Sequence, residues 1–174
     1  MKPLTQGQLD GFCGIYSILN SLTLVQGTSY QESRELFFEI LRAMEARKKI
    51  LKLIEDGMTD RDMGYVYREI IQKRYPVRTF KPFHKQPGIA LGSYWDQIHE
   101  FLEHGKRRAV NLVTEGWDWG HWTVVYKATP KSFHLLDSDM MRRLDRRKCT
   151  TQRLSRNRNV LIWPTMTRFL FRNE

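Results

Sequence analysis

Cys13 stands in the string Gln8-Leu9-Asp10-Gly11-Phe12-Cys13-Gly14-Ile15-Tyr16, at the predicted first residue of an amphipathic helix. A thiol reacts as its thiolate, and the positive end of a helix dipole favours that anion, so the position suits a nucleophile. Gly14 would let a substrate carbonyl approach the helix terminus with no Cβ in the way. Gln8, upstream of the sulfur, would bring a side-chain amide that completes an oxyanion hole with the Cys13 backbone N–H. A lone cysteine is more often a small buried apolar residue, so the reading needs a base and an orienting group.

Both are offered by the second half of the chain. In Gly120-His121-Trp122-Thr123-Val124-Val125-Tyr126 a histidine opens a predicted strand, and the next strand ends Phe133-His134-Leu135-Leu136-Asp137-Ser138-Asp139. If these strands pair through the turn Ala128-Thr129-Pro130-Lys131, Asp137 returns to the end of the sheet that carries His121. The carboxylate would then hold the imidazole Nδ1–H and leave Nε2 to take the thiol proton, the logic of nucleophile, base and orienting acid. Two choices stay open: Gln6 in place of Gln8, and Asp139 in place of Asp137, since a slip of two residues keeps the same strand face. Gly14, Trp119 and Trp122 are the residues expected to meet substrate, with Trp117 and Trp119 on a loop that stacks beside the site or packs into the core.

The elements that must position these groups change character once, near residue 106. Ile15, Ile18, Leu19 and Leu22 form one helical stripe, closed by Gly27. A second helix is predicted from Tyr30 to Glu55, with Leu36, Phe37, Ile40, Leu41 and Met44 on one face and Asp56-Gly57 as its stop. Thr59 caps a third, with Asp60 and Asp62 in its first turn, ending before Tyr75-Pro76. Residues 76–92 are rich in proline and glycine and predict a loop, and Ser93 opens a short helix to His104. Strands are then predicted at Ala109–Thr114, His121–Lys127, Ser132–Ser138, Val160–Trp163 and Met166–Phe171. Helices followed by antiparallel strands predict a single α+β domain over residues 1–174, a helical half at 1–105 packed on a β half at 106–174, with the active-site cleft between them.

In these motifs the chain resembles the papain-like cysteine peptidase superfamily: Gln–x4–Cys–Gly at a helix start, Gly-His-Trp on a strand, then Asp-Ser. The bacterial double-Gly leader peptidases of exporters and their stand-alone relatives share the Gln…Cys-Gly start, the His strand and an Asp. Josephin-type deubiquitinases share the Gln–x4–Cys spacing, an Asn on the following helix (here Asn20) and Gly-His-Trp, but usually carry Asn where this chain has Asp137. Asp10-Gly11-Phe12-Cys13 also resembles the Asp-Gly-x-Cys of ovarian-tumour-type deubiquitinases, a pattern that Gly14 does not fit well. The resemblance spans residues 6–139 and implies a papain-like fold and Cys13 as nucleophile, His121 as base, Asp137 as orienting acid and Gln8 as oxyanion donor. The implied reaction is cleavage of a peptide or isopeptide amide through a thioester. The same apparatus run on a glutamine side chain would be a deamidase, or a transglutaminase with an amine acceptor. An alternative of another class is a non-catalytic basic binding module of the same fold.

Composition bounds the rest. The 174 residues carry 29 Lys and Arg against 19 Asp and Glu, a net charge of +10, and 41% are hydrophobic, enough for a core without disulfides. Two cysteines exclude a disulfide scaffold and a multi-cysteine zinc module. Cys149, in Arg146-Arg147-Lys148-Cys149-Thr150, has neither a base nor a helix start beside it and is taken as structural. His84, His99, His104 and His134 form no metal set, and no phosphate loop is present, so no cofactor is expected. Neither a secretory signal nor a membrane-length apolar run is found, so a cytoplasmic protein is expected. Ten cations between Arg142 and Arg172 face Asp145 alone among acids, which fits an acidic protein or peptide partner, with nucleic acid less favoured.

Overall fold

α1 (Cys13–Gln26) forms where its apolar stripe predicts, and Gly27 ends it in the left-handed conformation, φ 74°, with its N–H on the Thr23 carbonyl. The computed structural model describes residues 2–7, 11–47 and 49–172 of the chain. The predicted second helix is two: α2 (Tyr30–Glu45), opened by a capping box of Ser29 and Glu32, and α3 (Ile50–Asp56). The Glu45 carboxylate takes the Ile50 N–H at 2.7 Å, capping α3 from the end of α2. α4 (Asp60–Val66) is capped by Thr59, as predicted, within a capping box that Asp62 completes, and passes through a π-turn (Tyr67–Ile71) into α5 (Gln72–Arg74).

The stretch 76–92 is not all loop. β1 (Val77–Phe80) lies within it and pairs with the last strand, so the helical half contributes an edge strand that its prolines and glycines concealed. α6 (Leu91–Glu103) precedes β2 (Arg108–Glu115), β3 (Gly120–Ala128) and β4 (Ser132–Leu135). β5 (Arg143–Asp145) and β6 (Cys149–Thr150) are additional short strands, followed by β7 (Val160–Ile162) and β8 (Arg168–Arg172). The sheet runs β1-β8-β2-β3-β4-β5, antiparallel throughout, with β7 beside the end of β2 and β6 parallel to β7.

Neighbouring residues of the central strands enter different cores, as the two-residue strand period demands. Ala109, Trp122 and Val124 join the cluster under α1 to α4, whereas Val110, Leu112 and Val125 join the one under α6. The helical half packed on the β half therefore covers the sheet on both faces, α1 on one and α6 on the other. Asn111 ties the first of these layers together. Its amide donates to the Ser17 carbonyl and Ser21 hydroxyl of α1 at 3.2 and 3.0 Å and accepts from the Tyr67 hydroxyl of the π-turn. Burial pushes the Tyr67 phenol far up, so it stays a neutral donor. Among the described residues, no helix is long and apolar enough to cross a membrane.

Candidate active site

The strand that carries the histidine and the strand that leads to the acid are adjacent, but their register contains a shift. Val125 pairs with Leu135 and Lys127 with His134, so Tyr126 is an extra residue in β3. Beyond it the Leu136 N–H reaches the Val124 carbonyl at 2.9 Å, which brings Asp137 level with Thr123. One added residue inverts which face a strand presents. Without the bulge Asp137 would lie on the face of Val124; with it, Asp137 shares the face of His121.

The result is a short contact, with His121 Nε2 bonded to Asp137 Oδ2 at 2.7 Å. The bond uses the opposite nitrogen from the one expected, leaving Nδ1 for the sulfur. Cys13 lies within hydrogen-bonding reach of the same ring, so the structure brings Cys13, His121 and Asp137 together. The other carboxylate oxygen, Oδ1, accepts the N–H groups of Asp139 and Met141 at 2.9 and 3.1 Å. That loop closes tightly enough to hold Met140 at φ 64°, a left-handed conformation uncommon for a residue with a Cβ. Asp139 thus serves through its backbone, and Asp137 is the carboxylate on the histidine.

Electrostatics follow from this geometry. Burial works against a charged His121 ring, but the Asp137 hydrogen bond, the Cys13 contact and the two partners' charges outweigh it and raise its pKa to about 10. Burial opposes the Asp137 anion as well, yet the bond to His121 and the backbone N–H of Asp139 hold it below the usual carboxylate range. The pair is an imidazolium and a carboxylate at neutral pH. Cys13 opens α1 with no side-chain cap and no acid in the first turn, so the positive helix end meets no counter-charge from its own helix.

What holds that helix start in place is a connection the sequence announces only as a helix stop. The Gly11 N–H donates to the Ile54 carbonyl at 3.1 Å. A Cβ on Gly14 would lie 2.8 Å from the Met58 Cβ, so Gly14 is needed for Met58 to pack, where access for a substrate was expected. Trp122, also expected at the substrate, is only 5% exposed and donates its Nε1–H to the Met58 carbonyl at 2.9 Å. It is a core residue with no face left for a ligand. Trp119 and Trp117 do lie open, 41% and 72% exposed, on the connection from β2 to His121.

Gln8 lies outside the described residues. Gln6 lies within them, its N–H on the Ser138 carbonyl at 3.1 Å and its Oε1 facing the Ser138 hydroxyl. Asn20 anchors the segment, its amide taking the Leu4 N–H at 2.8 Å and donating to the Leu4 carbonyl at 3.1 Å. Cys149 is fully buried on the α6 side, its thiol pushed up to about 12 by burial and then by the Asp145 charge. No group of described His, Cys, Asp and Glu residues could hold a metal ion. No family model matches the chain, and no curated protein matches it.

Proposed function

We propose that the protein is a cysteine-dependent hydrolase of papain-like architecture that cleaves a peptide or isopeptide amide. The observation that carries this reading is one buried imidazole held by Asp137 on Nε2 with Cys13 on its other side. A packing histidine needs neither partner, and a binding module needs no sulfur there.

In the reaction Cys13 Sγ, as thiolate, adds to the amide carbonyl carbon. The oxygen takes up the negative charge and accepts from the Cys13 backbone N–H, at the first position of α1, and from a second donor, for which Gln8 is the candidate. The carbon–nitrogen bond breaks as His121 Nδ1 gives its proton to the leaving amine. Water then adds to the thioester while neutral His121 takes a proton from it, and carbon–sulfur cleavage returns the acid and the thiolate. Asp137 stays ionised throughout, holding the ring with Nδ1 toward the sulfur. The open Trp119 and Trp117 are the side chains available to substrate beside the histidine.

Labelling with a peptide vinyl sulfone at neutral pH tests the reading. Fast modification of Cys13 that is lost in His121→Ala is expected; a slow reaction, or one indifferent to His121, removes the catalytic assignment. On a candidate substrate, mass spectrometry separates a cut chain from the gain of about one dalton that deamidation of glutamine would leave.

A further inference from the structure

The basic residues of the C-terminal third do not act as one patch. Arg168 turns inward to Asp60 and the Tyr67 ring, while others converge on a separate cavity of about 590 Å³. This cavity lies at the turn end of the β3–β4 hairpin, so the strand rise from His121 to Ala128 puts it about 23 Å from the candidate active site. Its volume suits a small ligand.

Lys131, Arg143, Arg146, Arg147 and Arg158 line the cavity, and among the described residues Asp145 is the one acid that does so. That carboxylate is already spoken for: it takes the Arg147 backbone N–H and guanidinium at 3.0–3.3 Å, which holds its pKa down to about 2. Arg146 and Arg158 are oriented by backbone carbonyls, those of Pro130 at 3.3 Å and Cys149 at 2.9 Å, which aim a guanidinium without neutralising it. Asp96 stands 3.9 Å from Arg146 with its side chain largely in solvent.

Leu91 and Gly92, at the start of α6, form another wall. Ala90 offers no side-chain cap, and the first turn holds no acid. Arg146 Nη2 nevertheless lies 3.5 Å from where a Cβ on Gly92 would sit. A guanidinium pressed to the positive end of a helix is an unfavourable pairing of like charges, which an anion between them would reverse. Several fixed guanidinium forks around uncapped N–H groups match a phosphate better than a single carboxylate.

We propose that this cavity binds the phosphate or diphosphate group of a small ligand, independently of the chemistry at Cys13. Titration calorimetry of the full chain with inorganic pyrophosphate tests it. Saturable binding is expected, weakened about tenfold or more in Arg146→Gln and in Arg158→Gln, and unchanged in Arg172→Gln, which lies outside the cavity. Gly92→Asp supplies its own anion at the helix start, so it should raise the thermal midpoint while abolishing binding, a result that unfolding cannot imitate. Adenosine diphosphate binding more tightly than pyrophosphate would point to a nucleotide as the source of the group, and equal binding to phosphate alone. Absence of saturation, retention of binding in Gly92→Asp, or an equal loss in Arg172→Gln would overturn the proposal.

Discussion

The indole N–H of Trp122 donates to the carbonyl of Met58 at 2.9 Å, joining β3 to the loop between α3 and α4 across 64 residues of sequence. Met58 also packs against Gly14. The loop therefore touches both walls of the candidate site, the helix start with Cys13 and the strand with His121, and their spacing depends on it.

Gly14→Ala is expected to displace that loop. Overpacking a closed core position costs about 1–3 kcal/mol, and here the shift falls beside Cys13, the candidate nucleophile. Chemical denaturation should show the loss of stability, and vinyl sulfone labelling of Cys13 should slow in the protein that remains folded.

Trp122→Ala and Trp117→Ala should separate cleanly. Removing the buried indole should cost about 3–5 kcal/mol and leave the Met58 carbonyl unpaired. The exposed Trp117 should contribute little stability, so its loss should appear in KM for a peptide substrate. Thermal melts and steady-state kinetics on the same preparations distinguish the two.

The His121–Asp137 pair gives stability a pH signature with a defined sign. His121 is raised from 6.5 to about 10, so its contribution is complete below about pH 6.5 and is lost as pH rises toward 10. Asp137 is lowered, so its share is complete above its ordinary value of 3.8 and is lost as pH falls through its depressed pKa. Thermal midpoints should be highest between these limits, and the alkaline decline should largely vanish in Asp137→Asn. That variant should also lose about a hundredfold in acylation rate, read by stopped-flow labelling.

The two thiols should behave differently. Cys149 is buried with its pKa at about 12, so one equivalent of a thiol reagent should react in the native protein, at Cys13, and two after denaturation. Peptide mapping identifies the residue.

Asn20→Ala should release the N-terminal segment. Two amide bonds to Leu4 are lost, about 1–3 kcal/mol in total, and with them the anchoring that brings Gln6 to Ser138. Hydrogen exchange should rise over residues 2–7 and, through the Gln6–Ser138 contact, in the loop behind Asp137.

Features that depend on local chemistry are legible in the chain before it folds. The helical stripe of Ile15 to Leu22, the Gly27 stop, the Thr59 cap and the β-rich runs around His121 each follow from neighbours in the chain, and each is found. The pairing that brings the Asp137 segment back beside the His121 strand is found as well, because a hairpin is a local structure. Contacts between distant segments decided the rest. Whether Asp137 lies on the face of His121 depends on a single bulge at Tyr126, and no spacing rule announces it. Gly14 and Trp122 stand beside Cys13 and His121 in the chain and were expected at the substrate, but Met58 claims both. The break between α2 and α3, the edge strand β1 and the division of the arginines between Asp60 and a separate cavity arise the same way. Hydrogen-bond patterns and helix caps are written in adjacent residues, whereas the face a side chain presents and the neighbour it meets depend on how the whole chain packs.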